Sequence, residues 1–413
     1  MAADAPAPSV DIKPLLARMW PVPDAKEPPT ADEIADAVAH FFTHAVSDVQ
    51  AASLLMCLHF TEMDRRADVM AACADRMRKA AAQIDVEALK AVIAHRDLGE
   101  GDYKGGLCDI VGTGGDSHNT FNVSTTASII ASSLLLLAKH GNRASTSKSG
   151  SADLLASVEP RPPQVSAVEP ATIIRVYERT NYAFLFAPVF HTGMRFVAPI
   201  RRQLPWRTLF NLIGPLVNPT DLIEGHPAIE ARVIGVARRA LGPVFAEALV
   251  MAGVRKAMIV CGEEELDEVS CAGPTLCWRV KEETPGGEVA VEHFRLTPED
   301  FGLRKRHPLS TVSSGREPAE NAAILKRILA GEMADDDPIL EFVLINTAAL
   351  FTVSGLCEAE TSSMGAGDDG RVVTERGPSG LRWKEGMRRA RWAIKSGAAL
   401  GQFERFVEVT NSF

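Results

Sequence analysis

The sequence predicts an α/β fold, in which a small N-terminal helical bundle precedes a larger α/β domain with a mostly parallel central sheet. Residues 30–83 carry helical spacing and capping signals without strand patterns. Near Leu107 the pattern changes to strand, glycine loop and helix, the unit from which parallel α/β sheets are built. Aromatic residues are only 6% of the chain, and Ala, Leu, Ile and Val supply the apolar side chains. That composition favours packed helices and buried parallel strands over an all-β sandwich.

Length and charge narrow the class of protein. Because 413 residues exceed one average domain, we assign 1–100 to a tail and the small helical domain, completed by helices within about 190–220. Residues 101–413 form the larger domain. The formal charge of -9 argues against a general nucleic-acid or membrane binder, but a phosphorylated substrate needs only a local basic pocket.

Cysteine usage and the apolar runs indicate the compartment. The seven cysteines are scattered without a C-x-x-C pair, which is typical of reduced thiols in an intracellular protein. Residues 1–10 lack the pattern of a secretory signal. The most apolar run, 126–138, is too short to span a bilayer, so it predicts a buried helix or strand. We expect a soluble, cytoplasmic protein.

The helices of the N-terminal part are predicted from their caps. Thr30 and Glu33 have the spacing of a capping box ahead of an apolar helix face. Ser47 and Gln50 repeat the pattern, and 64–83 is Ala-rich with apolar residues at helical spacing. We therefore expect several short helices packed together.

Apolar runs that end at a glycine or a polar turn predict the strands of the larger domain, at 107–111, 233–236 and 257–260. A helix is predicted to begin near Ser124, after a loop that starts at Gly112. Further helices are predicted at 318–330 and 387–396, the second being the last, and loops at 159–170 and 362–380.

The first chemical motif is the loop at 112–116, Gly-Thr-Gly-Gly-Asp. Glycines let backbone N–H groups approach a phosphate and form an anion-binding nest. Asn122, Ser124 and Thr125 follow where the next helix begins, so hydroxyls and free N–H groups can converge on one anion. An ordinary glycine turn is the alternative. Neither a Walker A loop nor a dinucleotide G-x-G-x-x-G motif is present.

The second motif is a basic, hydroxyl-rich stretch at 139–151 that follows the apolar run. It contains the cations Lys139, Arg143 and Lys148, and Ser151 is predicted to cap the helix that starts at Asp153. A solvated basic loop is the alternative. Two successive loops of this kind favour a phosphorylated sugar as the ligand.

The third and fourth motifs are acidic and basic pairs. Asp267 and Glu268 could be part of a solvated turn, or they could hold Mg²⁺, which prefers oxygen ligands shared with phosphates. Because neighbouring residues on a strand point to opposite faces, both reaching one site requires a loop. Arg201 or Arg202, downstream of His191, could pair with a carboxylate. Zinc-hydrolase and serine-triad motifs are absent.

In this order, the motifs resemble those of the anthranilate phosphoribosyltransferases. The stretches that carry the resemblance are DIVGTGGDSHNTFNVST, KHGNRASTSKSGSADLL, FLFAPVFHTGMRFVAPIRR, RTLFNLIGPLVNP and LDEVS. The similarity runs from about Thr30 to Asn411. It departs from the common pattern at Gln203 and Pro205, and in the long loops at 159–170 and 362–380.

The resemblance implies a reaction and a set of ligands. The phosphoribosyl group of phosphoribosyl pyrophosphate (PRPP) would pass to the amine of anthranilate, giving N-(5-phosphoribosyl)anthranilate and pyrophosphate, the second step of tryptophan biosynthesis from chorismate. Two Mg²⁺ ions would bind with PRPP. The helical domain would be hinged to the larger one and would pair two chains as a homodimer. Since no nucleophile–base motif appears, we expect no covalent intermediate and no essential cysteine.

The resemblance also implies three groups of site residues. PRPP would be bound by Gly112, Gly115, Asp116, Thr120, Asn122, Ser124, Thr125, Lys139, Ser147 and Ser151. Anthranilate would be contacted by Gly112, Asn142 and Arg201, with His140, His191, Gly214 and Pro215 near its entry path. The metal would be held by Ser124, Asp267 and Glu268.

Two alternatives stay open at this point. A pyrimidine nucleoside phosphorylase shares the fold but would use inorganic phosphate, and the Leu-Asp-Glu segment and Arg201 favour the transferase over it. A catalytically silent relative that binds nucleic acid is the other, and the net charge argues against it.

Overall fold

The helical N-terminal part consists of short amphipathic helices. A computed structural model describes residues 9–20, 27–144, 148–221, 229–284, 286–313 and 316–413. The first helices are α1 (Lys13–Met19), α2 (Ala31–Ala39), α3 (Asp48–Phe60), α4 (Ala67–Lys79) and α5 (Val86–Arg96). Helices α2 and α4 pack against each other.

The larger part is built around one seven-stranded sheet. Its strands are β1 (Leu107–Gly112), β2 (Leu136–Gly141), β3 (Tyr182–Phe186), β4 (Ile229–Gly235), β5 (Ala257–Gly262), β6 (Thr275–Glu282) and β7 (Val289–Leu296). The order is β3-β2-β1-β4-β5-β6-β7. The first five strands are parallel, and β6 pairs antiparallel with both of its neighbours, β5 and β7. This confirms the predicted α/β class with a mostly parallel sheet.

Helices cover both faces of the sheet. The helices that follow α5, of which α10 and α11 pack on the N-terminal helices instead, are α6 (Val123–Ala131), α7 (Ser151–Ala156), α8 (Ile173–Arg179), α9 (Ala187–Phe190), α10 (Met194–Arg202), α11 (Leu209–Leu212), α12 (Leu241–Met251), α13 (Leu309–Val312), α14 (Pro318–Leu329), α15 (Pro338–Ser354), α16 (Trp383–Lys395) and α17 (Ala398–Thr410). In the described residues, no helix combines the length and the apolar character needed to cross a membrane.

The order of the strands reverses between β1 and β4. From β1 the chain moves outward through β2 to β3, and β4 returns to the other side of β1 before β5. Ligands of parallel sheets bind beyond the carboxyl ends of the strands at such a reversal. Gly112 and Gly235, the last residues of β1 and β4, lie side by side there. The glycine loop therefore starts at the position where this class of sheet binds ligands.

The buried apolar side chains form two separate cores. One joins the N-terminal helices to α10, α11, α12 and one face of β4 and β5, and the other fills the rest of the sheet and its helices. Helices α10 and α11 contact α3. Leu89 and Val92 of α5 are buried in the second core. Helix α5 therefore packs with the larger part although it precedes residue 100. The division of the chain at residue 100 stays a prediction.

Several local predictions can be compared with the structure. The capping box of Thr30 and Glu33 is confirmed. Ser47 accepts a hydrogen bond from the Gln50 backbone N–H, but the predicted return bond is missing because the Gln50 side chain accepts from Ile12 instead.

The prediction that Ser151 caps α7 is wrong. Gly150 occupies the N-cap position and Ser151 is the first helical residue. The Asp153 carboxylate accepts from the backbone N–H groups of Gly150 and Ala144 at 3.1 and 2.8 Å. Three residues into the helix, the acidic side chain thus does the capping that a serine was expected to do.

Two predicted boundaries also change. The apolar run at 126–138 is a helix end and a strand, since α6 stops at Ala131 and β2 starts at Leu136. The helix predicted at 387–396 is not the last, because α17 begins directly after Gly397. Gly397 has a φ of 74°, a left-handed conformation that lets one helix end and the next begin.

The loop predicted at 362–380 is tied to α16. Arg388 binds Asp368 and Ser362, and Trp383 donates from Nε1 to the Pro378 carbonyl at 3.0 Å. Arg388 is itself paired with the fully buried Glu385. These contacts fix the loop against α16, near the edge strand β7.

Candidate functional site

Three loops meet beyond the carboxyl ends of the parallel strands. The first is the glycine loop after β1, residues 112–122, and the second is the basic segment after β2, of which the structure describes 142–144 and 148–150. The third, called the acidic loop here, is 263–274 between β5 and β6. Parallel strands bring these segments to one edge of the sheet although they are far apart in the chain.

The acidic loop is bound directly to the glycine loop. The Gly114 N–H donates to Asp267 Oδ2 at 2.6 Å, and the Thr120 hydroxyl donates to Glu268 Oε2 at 3.3 Å. A Cβ at Gly112 would lie 2.4 Å from Asp267 Oδ2, and one at Gly235 would lie 1.5 Å from the Asp267 backbone oxygen. Glycine is required at the ends of both strands for this approach. Asp267 and Glu268 lie in a loop, which is the condition stated above for both side chains to reach one site.

Burial and mutual repulsion disfavour the charged forms of these carboxylates. Desolvation raises the pKa of Asp267 from 3.8 to about 7, and the neighbouring charge of Asp116 adds to the effect. Desolvation also raises the pKa of Glu268, with further contributions from Asp267 and Asp116, while the Thr120 hydroxyl and the Ser124 backbone N–H act oppositely. Acidic groups held together in this way attract a divalent cation, whose charge relieves the repulsion.

We expect Asp267→Asn to raise the midpoint of thermal unfolding by a few degrees at pH 8 in metal-free buffer, and to have little effect near pH 4. A carboxyl group whose pKa is raised in the folded state contributes stability that is complete below pH 3.8 and lost as the pH rises through about 7. The neutral amide avoids that loss. Melting curves in EDTA across this range test it, with the exposed Asp336 changed to Asn as the control. An equal shift at both pH values would contradict the raised pKa.

A second set of contacts connects α6, the basic segment and α14. The Asn122 side chain donates to the Ser149 carbonyl at 2.9 Å and accepts from the Ser149 hydroxyl at 3.0 Å. Asn321 of α14 also donates to Asn122 Oδ1, at 3.1 Å. Asn122 is thereby fixed at the start of α6, whose N-terminal end faces the acidic loop through Ser124. Thr125, the next residue, is buried.

Lys139 is a buried cation beneath these loops. Its side chain is 1% exposed, and Nζ donates to the His140 carbonyl at 3.3 Å. Desolvation lowers the pKa of Lys139, and the charges of Asp109 and Glu268 oppose that change. Asn218 holds Asp109 through a 3.0 Å hydrogen bond. The side chain of Lys139 therefore lies close enough to Asp109 and to Glu268 of the acidic loop for their charges to act on it.

The two histidines implied for anthranilate lie together. The rings of His140 and His191 are 5.2 Å apart, edge to face. Desolvation lowers the pKa of both, that of His191 to about 4, and the backbone of Gly214 opposes the change at His140. His191 Nε2 is 3.0 Å from the Val217 carbonyl oxygen. Both rings are therefore neutral at pH 7 and form a polar but uncharged wall.

The remaining residues implied for anthranilate are distributed around that wall. Pro215 follows Gly214 in a buried turn, and Asn142 is exposed just beyond β2. The guanidinium of Arg201, near the end of α10, lies over the Phe210 ring at 5.7 Å. The described contacts bring His140, His191 and Gly214 together, but no hydrogen bond links Arg201 or Asn142 to them. Ser151 lies against Gly141, where an added Cβ would be 3.1 Å from the Ser151 Cβ, and Ser147 lies outside the described residues.

Some residues of the site had no role predicted from the sequence. His118 lies in the glycine loop, where its Nε2 is 2.8 Å from the Glu264 carbonyl oxygen. Asn321 and Asn218 are isolated amides in the chain, with no local motif to mark them. Arg207 is the first residue of the stretch RTLFNLIGP, and its place in a stretch that carries the family resemblance was the signal available for it.

The donors at the site fit a hard cation that is shared with a phosphate ligand. In the ranges that the structure describes, no three His, Cys, Asp or Glu side chains converge closely enough to hold a metal by themselves. Asp267 and Glu268 supply carboxylate oxygens beside the hydroxyl-bearing Thr120 and Ser124. Mg²⁺ uses one or two carboxylates together with substrate phosphates, and this donor set agrees with that chemistry.

Both parts of the chain match models of one family. Residues 104–400 match the family model described as "Glycosyl transferase family, a/b domain", and residues 22–81 match "Glycosyl transferase family, helical bundle domain". The anthranilate phosphoribosyltransferase of Schizosaccharomyces pombe is 38% identical over 376 residues, 91% of each chain.

Solved structures extend the similarity to the whole fold. One is the anthranilate phosphoribosyltransferase from Saccharomyces cerevisiae in complex with PRPP and Mg, with a TM-score of 0.75, 30% identity and coverage of 97% of this chain and 98% of that one. Another is the same enzyme with 4-fluoroanthranilate, with a TM-score of 0.75, 29% identity and coverage of 98% and 99%.

Proposed function

This chain belongs to the anthranilate phosphoribosyltransferases of the glycosyl transferase family, and from that premise we propose that the three loops beyond β1, β2 and β5 form its active site. The enzyme transfers the phosphoribosyl group of PRPP to the amine of anthranilate and releases pyrophosphate. The observation that carries the assignment is the contact of Asp267 and Glu268 with the glycine loop at the reversal of the sheet. A phosphorolytic nucleoside cleavage would have no use for that acidic pair.

The PRPP residues of the proposal are those around the glycine and basic loops. They are Gly112, Gly115, Asp116, Thr120, Asn122, Ser124, Thr125, Lys139, Ser147 and Ser151. Backbone N–H groups, the start of α6 and the buried Lys139 give the positive potential that phosphate groups require. Ser124, Asp267 and Glu268 would hold Mg²⁺, and we propose two ions, the number that the family resemblance implies.

Anthranilate would bind on the histidine side, against Gly112, His140, Asn142, His191, Arg201, Gly214 and Pro215. Neutral histidine rings suit the aromatic face of the substrate, and a guanidinium can form a bidentate pair with its carboxylate. Burial lowers the pKa of Arg201, so an anionic partner would compensate for the desolvation of this group.

The chemistry requires alignment more than proton transfer. As the bond from ribose C1 to pyrophosphate breaks, negative charge grows on the leaving group, and the N–H groups of the glycine loop and Lys139 stabilise it. A bound Mg²⁺ supplies further charge neutralisation at the pyrophosphate. The amine of anthranilate is neutral at pH 7, so holding it against C1 replaces a general base. Burial raises the pKa of Cys261, near the end of β5, and of Cys271, within the acidic loop, to about 12, so neither supplies a thiolate nucleophile.

The direct test follows anthranilate fluorescence in the presence of PRPP, with and without Mg²⁺. A decrease that needs both substrates and Mg²⁺ is the expected result. No change in fluorescence, with folded protein shown by circular dichroism, would contradict the transferase assignment. It would favour the phosphorylase or the nucleic-acid-binding alternative. Phosphate-dependent cleavage of a nucleoside would then indicate the first, and a salt-dependent DNA shift the second.

Arg201→Ala is expected to raise the KM for anthranilate by about ten- to a hundredfold, because one charge-assisted bidentate pair is lost, and to leave the KM for PRPP nearly unchanged. Steady-state kinetics with each substrate varied in turn measure the two constants. Arg202→Ala is the matched control, since Arg202 is the exposed neighbour on the same helix. A parallel rise of both constants in Arg201→Ala would contradict its assignment to anthranilate.

We further propose that two chains pair through the helical part. Val49, Met56 and Phe60 lie on one face of α3, and their exposed fractions are 77%, 38% and 57%. Exposed apolar rows of this kind are typical of protein interfaces. Light scattering should give twice the mass of one chain, and Met56→Glu combined with Phe60→Glu should give single chains. A single-chain mass for the unmodified protein would contradict the pairing.

A further inference from the structure

Arg207 binds two backbone carbonyl groups of the glycine loop. Its Nη1 donates to the Gly114 carbonyl at 2.7 Å, and its Nη2 donates to the Thr113 carbonyl at 3.0 Å. The guanidinium lies where a side chain of Gly115 would be, since a Cβ there would be 1.6 Å from Nη1. One planar cation therefore binds two successive peptide groups of this loop.

These two hydrogen bonds determine which way the loop N–H groups point. In a trans peptide the C=O and the following N–H point in opposite directions. The Thr113 carbonyl shares a peptide group with the Gly114 N–H, and the Gly114 carbonyl shares one with the Gly115 N–H. Arg207 holds both carbonyls on its own side, so both N–H groups face away from it. The Gly114 N–H indeed donates to Asp267, on the opposite side.

The positive charge of Arg207 also strengthens the loop N–H groups as hydrogen-bond donors. A charged donor on a carbonyl oxygen polarises the peptide group and makes its N–H a stronger donor. Of the N–H groups so affected, that of Gly114 donates to Asp267 of the acidic loop, and that of Gly115 points away from the guanidinium, because the Gly114 carbonyl is held by it.

Arg207 is also fixed to the helical part of the molecule. The adjacent Trp206 stacks on His59 of α3, with ring centres 5.8 Å apart, and meets Phe60 edge to face at 5.1 Å. Trp206 and Arg207 together connect the helical part to the glycine loop. The hydrogen bonds of Arg207 to this loop therefore depend on the position of the helical part relative to the sheet.

We propose that Arg207 is a positioning residue for PRPP: it fixes the glycine loop so that the Gly114 N–H holds Asp267 and the Gly115 N–H faces the pyrophosphate, without touching the substrate itself. The inference rests on the proposed function, and it adds a residue to which the family resemblance assigned no role. Arg201, six positions earlier, is proposed to act on the other substrate, so the two arginines should be separable by kinetics.

The test compares Arg207→Ala, Arg207→Lys and Arg238→Ala with the unmodified enzyme. Arg238 also lines the cavity of about 520 Å³ that Arg207 borders, but its guanidinium pairs with Glu265 at 2.9 Å and not with the glycine loop. It is therefore a control for the general loss of positive charge near the loop.

In Arg207→Ala, we expect the KM for PRPP and the Kd of PRPP with Mg²⁺ in calorimetry to rise by about ten- to a hundredfold, from two lost charge-assisted bonds. The KM for anthranilate should stay within about twofold. Arg207→Lys, with a point charge in place of the planar fork, should fall between. Because the lost side chain borders the cavity, methylguanidinium at millimolar concentration should partly restore PRPP binding to the alanine variant, a recovery that a merely structural role would not show.

Three outcomes would overturn the proposal: PRPP binding of Arg207→Ala within twofold of the unmodified enzyme, an equal loss in Arg238→Ala, or an equal rise of both Michaelis constants without rescue. Should the alanine variant not fold, Arg207→Gln, which keeps one amide donor, is judged by the same criteria. The unmodified enzyme is assayed first. Absence of transfer there contradicts the proposed function, whereas transfer with unaffected variants contradicts only the role of Arg207.

Discussion

Replacing Asp267 by Asn and Glu268 by Gln together is expected to lower the rate of phosphoribosyl transfer by at least about a thousandfold. Amide oxygens are poor substitutes for carboxylates as ligands of a hard divalent cation, and the charge that would hold the ion beside the glycine loop is lost. The fold should survive, because the two carboxylates are disfavoured in their charged forms, as the raised pKa of Asp267 to about 7 indicates. The assay is the anthranilate fluorescence decrease, measured over a range of Mg²⁺ concentrations.

The control removes two charges from the same loop. Glu263→Gln combined with Glu265→Gln breaks only surface pairs, to Arg295 and Arg238, and should cost less than about tenfold. Partial recovery of the first variant at high Mg²⁺ would agree with a weakened metal site. A rate close to that of the unmodified enzyme at ordinary Mg²⁺ would contradict the metal role of the acidic pair.

The second large effect is expected from Gly235→Ala. The added methyl group would lie 1.5 Å from the Asp267 carbonyl oxygen and 2.3 Å from its carbon. Both are backbone atoms, so no side-chain rotation relieves the overlap, and the acidic loop must move away from the end of β4. A displacement of about 1 Å can reduce a rate by about a hundredfold, and overpacking costs about 1–3 kcal/mol of stability. Transfer rate, Mg²⁺ dependence and thermal unfolding measure these effects.

Gly273→Ala is the matched control for that substitution. Gly273 lies in the same acidic loop, and a Cβ there has no heavy atom within 4 Å. It should leave rate and stability nearly unchanged. If Gly235→Ala also kept its full rate and Mg²⁺ dependence, the close contact of the acidic loop with β4 would have no part in placing Asp267.

Much of the fold was accessible from local patterns. The strand–loop–helix at 107–131 and the capping box of Thr30 depend on residues that are close in the chain, and both predictions hold. The wrong cap at Ser151 has a local cause of a different kind, because a glycine N-cap with an aspartate three residues later competes with a serine at the neighbouring position. The exposed strand β7 and the buried helix α15 were not predicted, since neither a chemical motif nor a glycine loop marks them.

The sequence by itself determined the class of fold, the family and the residue types proposed to bind phosphate and metal, because each motif is contiguous and its chemistry depends on the residues it contains. Only the tertiary structure decided which of these residues act together. Gly114 meets Asp267 from 153 residues away, Arg207 reaches Gly114 across 93, and Asn321 reaches Asn122 across 199. Contacts at such separations depend on strand order and packing, which bring the ends of parallel strands to one edge, and a single arginine or asparagine in the chain carries no local signal of the partner it will meet.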